Sequence, residues 1–172
     1  MKRFLYLLCA LAFCLALTPA TALAAGEDAP NNLYVGNQSV KSGEDTTYWT
    51  TNDSGGGLDL SAETADWNVH YDPDTAILTL RNATIKTTHN DSLGAVIYAE
   101  SRSNSAVSLT IELEGTNTIE CASALYGIYV NAEMSNDRYG TDASLTITGK
   151  GSLDVSGSHY GIWVKMDQAM PP

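Results

Sequence analysis

"LTIELEGTNTIECASALYGIYV", residues 109–130, is the stretch that decides the fold. It contains three short runs: "LTI" at 109–111, "TNTI" at 116–119 and "YGIYV" at 126–130. In each, branched, aliphatic or aromatic residues alternate with small or polar ones, the period-two pattern of a half-buried strand. The same three phrases recur in the same order on either side. "LTL" at 78–80, "NATI" at 82–85 and "AVIYA" at 95–99 come before, and "LTI" at 145–147, "SLDV" at 152–155 and "YGIWV" at 160–164 come after. The first phrase starts at 78, 109 and 145, and the third places Ile97, Ile128 and Ile162 in equivalent positions. Gly, Asn, Asp and Ser separate the runs, and from residue 30 onward there is little helical periodicity.

One unit of three short strands cannot bury its apolar face alone. Stacking successive units buries a continuous core and pairs each strand with its copy in the next. The expected fold is therefore all-β: a single-stranded parallel β-helix of about three turns, starting near 78, 109 and 145, with turns about 4.8 Å apart. Period two sends Leu78, Leu80, Leu109, Ile111, Leu113, Leu145 and Ile147 inward on the first face. Ile85, Ile119, Leu153 and Val155 follow on the second, and Ile97, Ile128, Val130, Ile162 and Val164 on the third. The same alignment predicts outward columns Thr79–Thr110–Thr146 and Arg81–Glu112–Thr148, with Arg81 and Glu112 in pairing range.

Residues 32–77 differ. "NNLYVGNQSV" reads as two short strands around Gly36-Asn37, and "WNVHYDPDTAILTLRNATI" as a hairpin turning at Asp72-Pro73-Asp74-Thr75. A hairpin cap suits the start of a β-helix, whose open end exposes unpaired edges and apolar surface. At the other end "KMDQAMPP" closes the chain before the third turn has its long loop, so the β-helix (78–172) reads as C-terminally incomplete, a truncated frame or a piece of a longer protein.

The 172-residue chain opens with Lys2, Arg3, an apolar run from Phe4 to Leu17 and Ala22-Leu23-Ala24. Basic, apolar, then A-x-A is a secretory leader over 1–24, followed by a linker over 25–31. Its apolar run is shorter than the roughly 20 residues that span a bilayer. Bulky Leu8 and Phe13 before Cys9 and Cys14 argue against lipid attachment. The mature chain is thus expected outside the cell, with no membrane insertion. Without Lys2 and Arg3 it carries 9 − 2 = 7 basic against 20 acidic residues, a formal charge of 7 − 20 = −13, which repels nucleic acid and anionic lipid. Cys121 is the one cysteine left, so no intramolecular disulfide forms; it reads as a small buried apolar residue rather than a reactive thiol.

The order "LYVGNQSV", "VHYDPDTAILTLRNATI", then "LTIELEGTNTI" and "YGIYV", resembles secreted or surface proteins of anaerobic gut bacteria described as carbohydrate-binding-domain-containing. The resemblance covers about residues 32–164, and "YDPDTAILTLRNATI" is its most distinctive part. It implies a right-handed parallel β-helix of the pectin-lyase kind, outside the cell and possessing a glycan-binding or adhesive role. It implies no catalytic residue in this chain.

Tyr98, Tyr129 and Trp163 fall at one outward position in three successive turns. Rings stacked on an exposed sheet make a platform for sugar C–H faces; the alternative is a ladder that only stabilises neighbouring strands. Trp67 reads as a packing residue, and Trp49, in a polar stretch, as exposed. "TNDSGGGLDL" at 51–60 offers Asp53 and Asp59 as Ca²⁺ ligands, against a plain glycine turn; no other cofactor is suggested. Glu112 and Glu114 have the spacing of an inverting glycosidase pair, against two solvated carboxylates. His70, His89 and His159 lack metal spacing. The expected function is non-catalytic binding of polysaccharide or glycoconjugate, or adhesion. A polysaccharide-lyase-like enzyme and a structural stalk of a larger surface protein are the alternatives.

Overall fold

A computed structural model describes residues 28–40, 48–53, 55–89, 94–101, 105–132 and 142–166. The leader at 1–24, the start of the linker and the segment from 167 onward lie outside the described residues. Within them every helix or strand is a strand. The first five are β1 (Asn32–Val35), β2 (Gln38–Ser39), β3 (Tyr48–Thr51), β4 (Leu58–Leu60) and β5 (Val69–Asp72). Three units of three follow. They are β6 (Ile77–Arg81), β7 (Thr84–Ile85) and β8 (Ala95–Ser101); β9 (Val107–Glu114), β10 (Thr116–Cys121) and β11 (Tyr126–Ala132); β12 (Ala143–Gly149), β13 (Ser152–Gly157) and β14 (Tyr160–Lys165).

The strands form three sheets, ordered β12-β9-β6-β5-β3-β4, β13-β10-β7 and β14-β11-β8-β1-β2. From β6 onward the chain visits the three sheets in one fixed order, three times. Each strand pairs in parallel with its counterpart one unit on. The alternation read from the sequence is what this requires. Leu78, Leu80, Ile85, Ile97, Leu109, Ile111, Ile119, Ile128 and Val130 are all buried in one apolar core. Cys121 is half-buried against that core.

The earlier strands run antiparallel and cover the first edges. Asp72 accepts hydrogen bonds at Oδ1 from the amides of Asp74 (2.9 Å) and Thr75 (3.4 Å). Ala76 then takes a left-handed φ of 55° and β5 returns as β6. Gly36, at φ +55°, turns β1 into β2, and β1 lies against β8. At β7 the Lys86 amide donates to Gly56 O at 2.8 Å. Trp49, expected exposed, is buried at 2% exposure. β3 is held antiparallel between β4 and β5, and alternate side chains of such a strand face the core whatever polar residues flank them.

The opposite edges are open. β12, β13 and β14 are each last in their sheet. Ile147 and Ile162 occupy inward positions yet are 40% exposed, and Val164 is also exposed, because no strand lies beyond them among the described residues.

The outward columns differ from expectation. Leu78 pairs with Ile111, Thr79 with Glu112 and Arg81 with Glu114, whereas Thr110 does align with Thr146. A slip of two residues leaves every side chain on its face, so alternation alone is blind to it. The corners after β6 and β9 hold the register instead. Asn82, at φ 48°, donates its amide to Glu114 O and accepts at Oδ1 from the Thr116 amide at 3.0 Å. Buried Asn117 accepts from the Ala83 amide at 2.9 Å and donates to Glu114 O and Ser152 O, linking three successive units. Arg81 consequently pairs with Glu114, at 2.8 Å, and not with Glu112.

Candidate functional site

The third sheet carries the residues singled out as a platform, and the register brings them together. Tyr98 on β8 aligns with Tyr129 on β11, and Tyr129 with Trp163 on β14. On the other side Tyr34 of β1 aligns with Tyr98, extending the row to four strands. Ring centroids are 6.3 Å apart for Tyr34–Tyr98 and 5.3 Å for Tyr98–Tyr129. His89 stacks on Tyr34 at 4.4 Å. Tyr126 and Tyr160, which open their strands, join from the corner. Tyr126 lies 4.8 Å from Tyr129 and 5.6 Å from Trp163, and Tyr160 lies 4.7 Å from Trp163.

Tyr126 reaches Tyr129 despite the odd spacing, and Gly127 lies between them at a place too crowded for a side chain. A Cβ there would come within 2.5 Å of a Val155 methyl and 2.7 Å of Gly161 O. The "YG" repeated at 126–127 and 160–161 is thus a ring plus the glycine that places it, and this was the available sequence signal for two further rings. Tyr34 had no such signal, because it reaches the row through an antiparallel pairing from outside the repeat.

The rings do not form one plate. Tyr126 and Tyr160 are near parallel, at 13°, whereas Tyr160 and Trp163 meet at 72°. Edge-to-face contact matches the positive rim of one ring to the negative face of the next.

Two residues along each strand, a polar row runs beside the rings. Asn32 aligns with Glu100, Glu100 with Asn131, and Asn131 with Lys165. Tyr98 is anchored there. Its hydroxyl accepts from Asn131 Nδ2 at 3.3 Å and is also hydrogen-bonded to Glu100. Burial pushes the phenol well above its ordinary pKa, and the hydrogen bond from Asn131 opposes that less than burial and Glu100 raise it. Tyr98 is 6% exposed, so it braces the row rather than offering a free ring. Glu100 and Asn131 are buried too, and Asn131 Oδ1 has no hydrogen-bond partner among the described residues. Tyr160, at 49% exposure, is the most open ring of the strip.

A second aromatic group lies on the first sheet. Tyr48 stacks on His70 at 4.0 Å with Trp67 beside both, and the Arg81 guanidinium covers Trp67 at 3.9 Å. Trp67 therefore packs, as expected, under a cation. Glu114 is committed to Arg81, and Glu112 is exposed with no partner among the described residues.

Asp53 and Asp59 are not brought together as a cation site. Asp59 Oδ2 accepts from Asn52 Nδ2 at 3.2 Å, while Asp53 lines a polar cleft. No group of three metal-ligating side chains occurs among the described residues. His159 Nδ1 sits 3.1 Å from Ser158 Oγ, and the three histidines stay apart. No family model matches the chain, and neither the curated proteins nor the solved structures contain a match to it.

Proposed function

We propose that the mature chain is a secreted parallel β-helix that binds glycan, without catalysis, through the aromatic strip of its third sheet. The cyclic order of the three sheets supports the β-helix reading: meeting them in the same sequence three times, always parallel, is the order expected of a chain that coils about one core. The leader pattern at 1–24 supports the location.

The observation that carries the functional reading is the pair of rows on one face. Aromatic rings supply apolar faces for sugar C–H groups, and Asn32 and Lys165, the accessible ends of the polar row two residues away, offer hydrogen bonds to hydroxyls, while buried Glu100 and Asn131 hold Tyr98 in place. The rings nearest the edge strand β14 keep accessible surface, with Tyr160 nearly half exposed. The strongly negative formal charge disfavours polyanionic polymers.

Retention on a panel of insoluble and immobilised polysaccharides tests this. The purified protein is expected to be retained by at least one neutral glycan, and Trp163→Ala to be retained less. Retention by none, or equal retention of the variant, would remove the strip from consideration.

A further inference from the structure

We propose a second ligand site, independent of the strip: the polar cleft between β3, Gly55-Gly56 and β7 takes a neutral polyhydroxylated molecule with the chemistry of a sugar ring. The cleft is open to solvent on one side and has a volume of about 620 Å³, within the size range of small-molecule sites. Its lining comprises Thr51, Asn52, Asp53, Asn68, Asn82, Thr84 and Lys86 side chains over Gly55 and Gly56, without one aliphatic or aromatic residue.

Its walls are held in place before any ligand arrives. Asn68 is fully used: Oδ1 accepts from Thr51 N (2.8 Å) and Oγ1, and Nδ2 donates to Arg81 O and Asn82 O. Asn52 is fixed by Gly57 N and Asp59. Gly56, at φ +67°, lets the turn lie on Lys86, since a Cβ there would meet the Lys86 side chain at 2.7 Å.

What remains to bind is a mixed set. Asn82 uses Oδ1 on Thr116, and its Nδ2 has no partner among the described residues. The Thr84 hydroxyl and Asp53 carboxylate likewise have none, and Lys86 Nζ stands 3.6 Å from Glu120. Donors and acceptors are interleaved, as hydroxyl groups are, since each both donates and accepts. A cation would find one carboxylate, because Asp59 is turned to Asn52. An anion would find one ammonium already beside Glu120. An apolar molecule would find a surface that is mostly polar.

Gly55 makes the test clean. A Cβ there meets nothing within 4 Å, so a side chain can be added at the cleft without displacing the backbone. The experiment is an NMR titration of isotope-labelled protein with D-glucose, D-galactose and N-acetyl-D-glucosamine, with D-glucuronate as the charged comparison. At least one neutral sugar is expected to give saturable shifts at the Asn82 side-chain amide and the Thr84 backbone amide. Gly55→Leu should abolish them, and Thr84→Val should weaken binding by about threefold to tenfold, the loss of one hydrogen bond. Trp163→Leu should leave them unchanged. No saturable shift with any neutral sugar, shifts with glucuronate alone, undiminished binding in Gly55→Leu, or loss in Trp163→Leu would each overturn the assignment. Retention on insoluble glycan, the test of the strip, should be indifferent to Gly55→Leu, so the two readings fail separately.

Discussion

Ile128 and Ile162 occupy the same place in the repeat, pair with each other in register and face the same way, yet their contributions to stability should differ severalfold. Ile→Ala removes three carbons, worth about 2.4 kcal/mol of transfer free energy at about 0.8 kcal/mol each. At Ile128 exposure is zero, so a cavity term is added and the loss should be about 3–4 kcal/mol. At Ile162 exposure is 40%, so only about three-fifths of the transfer term applies and no enclosed cavity forms. The loss there should be about 1–1.5 kcal/mol. Urea denaturation of the two variants, followed by far-ultraviolet circular dichroism, resolves a difference of this size. Ile162→Lys should likewise be tolerated, whereas Ile128→Lys should not fold. Equal losses at the two positions would refute the reasoning, because they would mean that the edge formed by β12, β13 and β14 is covered.

Three further outcomes follow from local geometry. Gly115→Ala should destabilise by at least about 1 kcal/mol, because φ is +65° and the new Cβ would fall 2.0 Å from Asn82 Oδ1, while Gly55→Ala should change the urea midpoint little. Stability should fall above about pH 10, as the unfolded chain ionises tyrosines that burial keeps protonated in the fold. Tyr98 and Tyr71 are both raised, so their stabilisation is complete below the unfolded pKa and lost as pH climbs, and Tyr98→Phe should flatten this limb of a pH-dependent unfolding series. For Asp72, burial works against the charge. The Thr75 hydroxyl, the Asp74 and Thr75 amides and His70 nevertheless bring its carboxyl below the usual range. Its stabilisation is therefore present above about pH 4 and lost as pH falls further, and Asp72→Asn should remove that acid-side dependence.

Strand positions and core faces were legible because period two is written in every phrase: Leu78, Ile85, Ile97 and their second-unit counterparts are buried as read. The register between β6 and β9 was not legible, because "LTL" matches both "LTI" and the "IEL" two residues later, and only the side chains of Asn82 and Asn117 distinguish them. Exposure of Ile147, Ile162 and Val164 was also invisible, since alternation reports direction and not what lies beyond. At the site, Tyr98, Tyr129 and Trp163 were correctly placed in one column, but the sequence could not tell that Tyr98 is buried. Tyr126 and Tyr160 were missed because strict alternation sends them the wrong way, and the crowding at Gly127 is visible only in the structure. The polar cleft draws on three separate segments, so no local motif announces it.

The central claim, that the strip holds a ligand as well as joining strands, is tested most directly by measuring retention and stability in one variant. Trp163→Leu keeps an apolar side chain on the edge strand and removes the ring. If the strip is a contact surface, retention on the best-binding glycan should fall about tenfold, the effect of roughly 1.4 kcal/mol, while the urea midpoint moves little. A lowered midpoint with unchanged retention would contradict it and leave the aromatic row as a structural ladder alone.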